Sequence, residues 1–190
     1  MKAILLPLAL VCIAAPAFAQ SPAADNPEMS EIYAADQAAR NGGAVDPQEL
    51  MRTDTERRRH VRELFVQGVL TTARDFQAAA FVFQHGGVPE DYLLAHVLAV
   101  RAVALGLQDA EWIAAATLDR YLQATGKSQV YGTQYKFAPE TGTTMEPYDR
   151  ALLTDAVRVA AGTHTLAEQE TRLGEMDQRL RALVAPQPTP

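Results

Sequence analysis

The chain has 190 residues, of which 48% are hydrophobic, enough to bury a core. It carries 17 lysine and arginine residues against 23 aspartate and glutamate residues, and the formal charge of −6 indicates a surface that repels nucleic acid and anionic membranes. The single cysteine, Cys12, excludes a disulfide framework within the chain and a cluster of cysteine metal ligands.

Residues 1–19 have the pattern of a cleavable signal peptide. Lys2 supplies the positive start, an apolar run extends from Ala3 to about Pro16, and Ala17-Phe18-Ala19 fits an A-x-A cleavage site. The apolar run is shorter than the ~20 residues that a membrane span needs. We therefore expect export to the periplasm or to the outside of the cell, with no stable membrane anchoring after the signal and its Cys12 are removed.

Seven segments of the remaining chain have helical periodicity and helix-boundary residues. Asn26-Pro27 and Asp46-Pro47 each combine an N-cap residue with a first-turn proline, and Thr165 with Glu168 fits a capping box. We predict an all-α fold of helical hairpins, packed as a compact bundle or a short solenoid. The predicted helices run from Pro27 to about Arg40, Pro47 to about Gln67, Ala73 to His85, Pro89 to just before Gly106, Asp109 to Ala124, Asp149 to Ala161 and Leu166 to Leu183, in a single domain at 27–184 that follows a linker at 20–26 and precedes a disordered tail at 185–190.

The segment 127–148 interrupts the helical pattern with glycines, prolines and threonines between short runs of β-forming residues. We expect an irregular loop with a small hairpin, and its length indicates a functional loop. Gly132 allows close backbone approach, and Thr133 and Gln134 carry groups suited to recognising a ligand amide or carboxylate. A tight turn that ties the loop to the helices is the alternative.

Several helices carry polar side chains on faces that are otherwise apolar. A carboxylate on such a face is costly unless it is paired. The polar residues in such positions are Asp36 and Arg40 on the first predicted helix, Asp54, Arg57 and Arg58 on the second, Gln84 and His85 on the third, His96 on the fourth and Asp119 on the fifth.

These residues have two interpretations. In the first, they form structural ion pairs that fix the register of the helices. In the second, they converge on a pocket, where desolvation shifts pKa values in a way that suits acid–base chemistry. A metal site built from His85, His96 and Asp119 would fit no established ligand spacing, so we expect no metal and no cofactor. The expected ion pairs join Asp54 to Arg57 or Arg58, Asp36 to Arg40, and Asp119 to Arg120 or a neighbouring helix.

Five short stretches of the chain resemble the motifs of a known family. They are DTERR at 54–58, AAFVFQHG at 79–86, PEDYLLAH at 89–96, LDRYL at 118–122 and QVYGTQ at 129–134. In this order they resemble the DUF6624 group, a family of bacterial proteins of unknown function that are often exported. The resemblance extends from about Asp36 to Tyr135. It implies no particular activity, but it implies that some of its motif positions form one site. Those positions are Asp36, Gln37, Arg40, Gln84, His85, Asp119, Arg120, Tyr131, Gly132, Thr133 and Gln134.

Two hypotheses for the function remain. The first is a binding or interaction module that holds a protein, a peptide or a small-molecule ligand in a groove between the helices and the Tyr131 loop. The second is a hydrolase- or transferase-like enzyme, with His85 as general base, Asp119 orienting it, and Arg120 or Gln134 holding the substrate. The enzyme hypothesis requires His85, Asp119 and Gln134 to meet in one cleft. The candidate ligand-binding residues are Asp36, Arg40, Gln84, His85, His96, Tyr131, Thr133 and Gln134.

Overall fold

The computed structural model describes residues 23–41 and 46–185. The predicted signal peptide at 1–19 lies outside the described residues, as does the predicted tail from residue 186 onward. The described part is mainly helical with one two-stranded sheet, which confirms the prediction of an all-α compact bundle. Its elements are α1 Pro27–Asn41, α2 Pro47–Val66, α3 Ala73–Phe83, α4 Pro89–Ala104, a 3₁₀ turn Gln108–Ala110, α5 Glu111–Ala124, β1 Lys136–Ala138, β2 Gly142–Thr144, α6 Asp155–Ala160 and α7 Leu166–Val184.

The centre of the bundle is formed by α3, α4 and α5, with α4 packed against both of the others. Their sequences are rich in alanine, whose small side chain lets helix backbones approach closely while still burying apolar surface. Phe83 fills the space at the end of α3, and Met29 and Val61 add apolar contacts from α1 and α2. The buried alanines of the three central helices are Ala78, Ala79, Ala80, Ala95, Ala99, Ala102, Ala115 and Ala116.

Helix starts follow local side-chain chemistry. Asp46 accepts a hydrogen bond from the backbone N–H of Gln48, as an N-cap residue does. Thr165 and Glu168 form the reciprocal bonds of the predicted capping box at the start of α7. None of the helices within 23–41 and 46–185 is both long and apolar enough to cross a membrane.

The segment 127–148 contains the predicted hairpin. Strands β1 and β2 pair antiparallel, with Phe137 opposite Thr143. Helix α7 lies against β2, and the Asp177 carboxylate accepts a hydrogen bond of 2.6 Å from the Thr143 backbone N–H. The hairpin is therefore attached to the C-terminal helix.

The sixth helix is shorter than predicted, because it begins at Asp155 and not at Asp149. The Asp149 carboxylate accepts hydrogen bonds of 3.1 Å from the backbone N–H groups of Ala151 and Leu152, which bends the chain into a turn. Thr154 then caps the helix. The local side-chain bonds of Asp149 compete here with helix formation.

A buried arginine holds this bend in place. Arg158 is 0% exposed and donates hydrogen bonds to the carbonyl oxygens of Arg150 and Leu153 at 2.7 and 2.6 Å. It also donates to the Tyr148 hydroxyl at 3.0 Å, and that hydroxyl donates to Gln169 on α7 at 2.8 Å. The guanidinium therefore joins the bend to α7 through satisfied polar contacts.

Candidate functional site

One carboxylate holds the loop that follows α5. Asp119 is 0% exposed and accepts four hydrogen bonds from three residues of the loop. The donors are the backbone N–H groups of Val130, Tyr131 and Thr133 at 2.8, 3.0 and 3.0 Å, and the Thr133 hydroxyl at 2.8 Å. We call this arrangement, Asp119 with Val130, Tyr131 and Thr133, the Asp119 clamp.

The clamp differs from both roles expected of Asp119. The hydrogen bonds that Asp119 makes within the described ranges all come from the loop, so its negative charge is compensated by backbone and hydroxyl donors and not by Arg120. It also does not orient His85, since the carboxylate beside that ring is Asp36. Both expected partnerships are corrected for the same reason: the loop amides occupy both carboxylate oxygens.

The loop brings Gln134 against α5. The Gln134 side-chain N–H₂ donates to the Ala116 carbonyl at 3.2 Å and to the Thr133 hydroxyl at 2.9 Å. Buried Gln129 pairs with the Gln134 backbone, donating to its carbonyl and accepting from its N–H, both at 2.9 Å. Gln129 lies in the QVYGTQ stretch, but the sequence alone did not indicate its role. It fixes the position of Gln134.

A second polar cluster joins α1 to α2. Arg40 donates to Asp36 at 2.9 Å and to Asp54 at 2.8 Å, and Arg57 donates to the other oxygen of Asp54 at 2.7 Å. We call these four residues the Asp36 cluster. Asp36 and Asp54 are buried, so the arginines compensate charges that would otherwise be costly to desolvate.

Arg58 does not join the Asp36 cluster. Its Nε lies 3.5 Å from the Asp91 carboxylate of α4, and its Nη1 donates to the His85 carbonyl at 2.8 Å. Arg62 donates to the same Asp91. Of the two arginines expected to pair with Asp54, Arg57 forms the ion pair, and Arg58 instead holds the turn between α3 and α4.

His85 follows α3 and lies beside the Asp36 cluster. Its side chain is 21% exposed, and its Nε2 is 3.7 Å from Asp36 Oδ2, too far for a hydrogen bond. The pKa of His85 is lowered to about 4, mainly by burial and next by the charge of Arg40, while the charge of Asp54 opposes them. The ring is therefore neutral near pH 7. Two further arginine charges that lower its pKa are those of Arg120 and Arg58.

Burial has the opposite effect on the neighbouring acid. It raises the pKa of Asp36 above its ordinary value, while the charge of Arg40 and the Gln37 hydrogen bond lower it. The Gln37 side chain donates to Asp36 at 2.9 Å. Desolvation thus favours the uncharged form of both Asp36 and His85.

The other polar candidates have separate partners. His96 Nδ1 lies 2.9 Å from the Ala114 carbonyl, so this ring links α4 to α5. Gln84 is buried as the C-cap residue of α3. Within 23–41 and 46–185, no three histidine, cysteine, aspartate or glutamate side chains are placed to hold a metal, so His85, His96 and Asp119 do not form a metal site there.

An open cleft of about 340 Å³ lies between α4, α5 and the start of the hairpin, and we call it the α4–α5 cleft. Arg120 and Lys136, both positively charged, are among its lining residues, and no aspartate or glutamate is. Burial lowers the pKa of Arg120 below its ordinary value, against a smaller opposing effect of Tyr92. The lining residues are Tyr92, Arg120, Gln123, Ala124, Gln134, Tyr135 and Lys136.

Two of the residues that line this cleft carry a side-chain donor without a partner. Arg120 Nε and Gln123 Nε2 are buried, and neither finds a hydrogen-bond acceptor among the described residues. Buried donors are nearly always paired in proteins, so each such exception points to a missing partner or to function. These two donors make the α4–α5 cleft the best candidate site.

The structure brings only some of the predicted residues to this cleft. Arg120 and Gln134 line it, and the Asp119 clamp is linked to it because the Thr133 hydroxyl accepts a hydrogen bond from the Gln134 side chain. The His85 turn reaches it indirectly, because the Tyr92 hydroxyl donates to the Gly86 carbonyl at 2.7 Å. Sequence reasoning missed the four other lining residues that have polar side chains. Tyr92 lies in the quoted PEDYLLAH stretch, whereas no motif pointed to Gln123, Tyr135 or Lys136.

Comparison of the chain with protein-family models, with curated proteins and with solved structures gave no match. The resemblance to the DUF6624 group stays a prediction that rests on the motifs themselves. The candidate site rests on its own geometry, namely a positively charged cleft with unpartnered buried donors.

Proposed function

We propose that this protein is an exported binding module that holds a small molecule or a segment of a peptide or protein in the α4–α5 cleft. The observation that carries the proposal is the pair of buried donors, Arg120 Nε and Gln123 Nε2, that find no acceptor among the described residues. A buried donor left unpaired costs about 1–3 kcal/mol, so a ligand toward which these two side chains turn would recover part of that free energy. The signal-peptide pattern at 1–19 supports export.

A second groove, of about 470 Å³ between α1 and α2, is larger but less suited to binding. Its charged side chains are already satisfied by neighbours within the protein, so a ligand would have to displace an ion pair. The pairs are Arg57 with Asp54, Arg59 with Glu63, His60 with Glu28, and Glu56 with Arg52.

The test is a ligand survey by ¹H–¹⁵N NMR on the mature chain. Separate titrations use neutral amides, sugars, amines, carboxylates and phosphates, each at millimolar concentration, the range expected for simple fragments. We expect at least one class to shift the backbone amide signals of Gln134, Tyr135 and Lys136. Gln123→Leu removes one unpartnered donor and should weaken that binding. If no class shifts these signals, the proposal is wrong.

A hydrolase- or transferase-like activity is the second candidate. The observation that favours it is the position of His85, a neutral and partly exposed imidazole beside Asp36, with the charge of Arg120 near enough to lower its pKa. In this version Asp36 replaces Asp119 as the carboxylate beside the ring, and substrate binding would have to bring it within hydrogen-bonding distance of Nε2. Incubating the bound ligand with the wild type and with His85→Gln distinguishes the two functions, since an enzyme should convert the ligand and the variant should not. If both proteins bind the ligand and neither converts it, only the binding function is supported.

A further inference from the structure

The positive charge of the α4–α5 cleft stands out in an acidic protein. Arg120 makes no ion pair or hydrogen bond with any residue in 23–41 or 46–185, whereas every other arginine there that is not classed as exposed contacts a carboxylate. A partly buried cation without a counter-ion is costly, so a bound anion would offset that cost. The paired arginines are Arg40, Arg57, Arg58, Arg150 and Arg158.

The neutral side chains of the cleft indicate which chemical groups a ligand would need. Gln123 lines the cleft, and its side-chain N–H₂ is buried without a partner, so it can gain a hydrogen bond by turning toward a ligand. The Gln134 N–H₂ is already committed to Ala116 and Thr133, which leaves the Gln134 carbonyl oxygen as an acceptor for a ligand N–H. Tyr92 and Tyr135 contribute aromatic surface to the walls. The cleft thus offers several donors for an anionic oxygen group and one acceptor for a nearby N–H.

We propose that the α4–α5 cleft binds a carboxylate with an adjacent amide N–H, as found at the C-terminus of a peptide. Arg120 and Lys136 face the carboxylate, Gln123 donates to one of its oxygens, and the Gln134 carbonyl accepts the amide N–H. The inference rests on the proposed binding function and names its ligand class. A phosphate would use the same cations but has no N–H for Gln134, so it serves as the competing outcome of the test.

The experiment compares three probes in NMR titrations of the mature chain: N-acetyl-glycyl-glycine, the same compound with a C-terminal amide, and inorganic phosphate. We expect the free acid to bind about tenfold or more tightly than the amide form, because charge-assisted hydrogen bonds are about twice as strong as neutral ones. Its signals of largest shift should be those of Gln134, Tyr135 and Lys136. Binding should also weaken as salt is added, since Lys136 is exposed.

Three variants test the role of the cations. Arg120→Gln should abolish binding of the acid, and Lys136→Gln should weaken it several-fold. Lys136 is exposed at the start of β1, so its variant tests the inference even if Arg120→Gln does not fold. Arg179→Gln, on the exposed surface of α7, is the matched control and should leave the affinity unchanged.

The possible failures are distinguishable. Equal affinity for the acid and the amide form, or tighter binding of phosphate, overturns the carboxylate inference while leaving a ligand-binding cleft. Shifts confined to residues outside the cleft, or full affinity in Lys136→Gln and Arg120→Gln, also overturn it. The proposed binding function would also be wrong only if no ligand class shifted the NMR signals of the cleft residues.

Discussion

Asp119 shows how a single buried carboxylate organises a loop. Each of its two oxygens accepts two hydrogen bonds, and all four donors belong to Val130, Tyr131 and Thr133. Its negative charge is therefore compensated by peptide dipoles and a hydroxyl, with no arginine in contact. Because Thr133 precedes Gln134, the clamp also determines where the cleft residue Gln134 lies.

The variant Asp119→Asn should lower the free energy of unfolding by about 2–4 kcal/mol. The substitution removes the charge, and it turns an N–H₂ group toward two N–H or O–H donors in place of an oxygen. Urea denaturation measures the loss. Asp109→Asn, at an exposed position on the 3₁₀ turn, is the control. A loss in Asp119→Asn no larger than that of the control would show that the clamp does not stabilise the loop.

His85 makes the stability of the protein depend on pH. Its pKa is about 4 in the folded protein against 6.5 as the ordinary value, so between these values the unfolded chain binds more protons and stability falls as the pH falls. Going from pH 7 to pH 4.5, we expect the wild type to lose about 2 kcal/mol more than His85→Gln. Urea denaturation at both pH values measures the difference.

Asp36 acts in the opposite direction and must be separated from this effect. Its pKa is raised in the folded state, so protonation of Asp36 at low pH favours folding. Asp36 is present in both the wild type and His85→Gln, so comparing the two proteins isolates the contribution of His85. His164→Gln, at an exposed position, should keep the wild-type pH dependence. The same pH dependence in His85→Gln would mean that the histidine does not cause it.

At the scale of elements, the loop after α5 depends on α7. Gln169 of α7 donates to the Tyr131 carbonyl at 2.8 Å, immediately before Gly132. Gly132 has a φ of +75°, and a Cβ added to it would lie 2.3 Å from Gln169 Oε1 and 2.8 Å from the Tyr148 hydroxyl. The close packing of loop and helix therefore needs a glycine at this position.

Two glycine substitutions separate strain from crowding. Gly126 has nearly the same φ, +76°, but open space around its Cβ position. We expect Gly126→Ala to lower the free energy of unfolding by about 1 kcal/mol through backbone strain alone, and Gly132→Ala by about 2–4 kcal/mol. Thermal or urea denaturation of both variants provides the comparison. If the two variants lose the same free energy of unfolding, the side chains around Gly132 move aside without a measurable loss of stability.

Most elements were predictable from the sequence because their signals are local. The proline at the start of α2 and the Thr165–Glu168 capping box act within one helical turn. The start of α6 was not predicted, since Asp149 caps a turn of its own and Thr154 begins the helix. An aspartate before a periodic segment suits either outcome, and the contacts of the buried Arg158 with the preceding carbonyl groups favour the turn.

For the whole molecule, export stays a prediction that concerns residues outside the described ranges. We expect the protein expressed with its full sequence in a bacterial host to be recovered outside the cytoplasm with Gln20 as its first residue. Intact-mass measurement after cell fractionation checks this. Ala19→Asp should block cleavage, because the A-x-A site needs a small residue there. A wild-type protein that keeps Met1 and stays in the cytoplasm would contradict export.

The sequence by itself determined the helices, the interrupted segment at 127–148 and the polar residues on apolar faces, because each depends on neighbours within a few positions of the chain. Only the tertiary structure decided their partners. Asp119 is compensated by backbone amides, which carry no sequence signature, and His85 lies beside Asp36 because α1 packs against α3. Arg120 is left without an acceptor among the described residues, and that too became visible only when α4, α5 and the loop were placed together. Which residues contact each other across such long stretches of chain is determined by how the helices pack, and helix packing involves the whole fold.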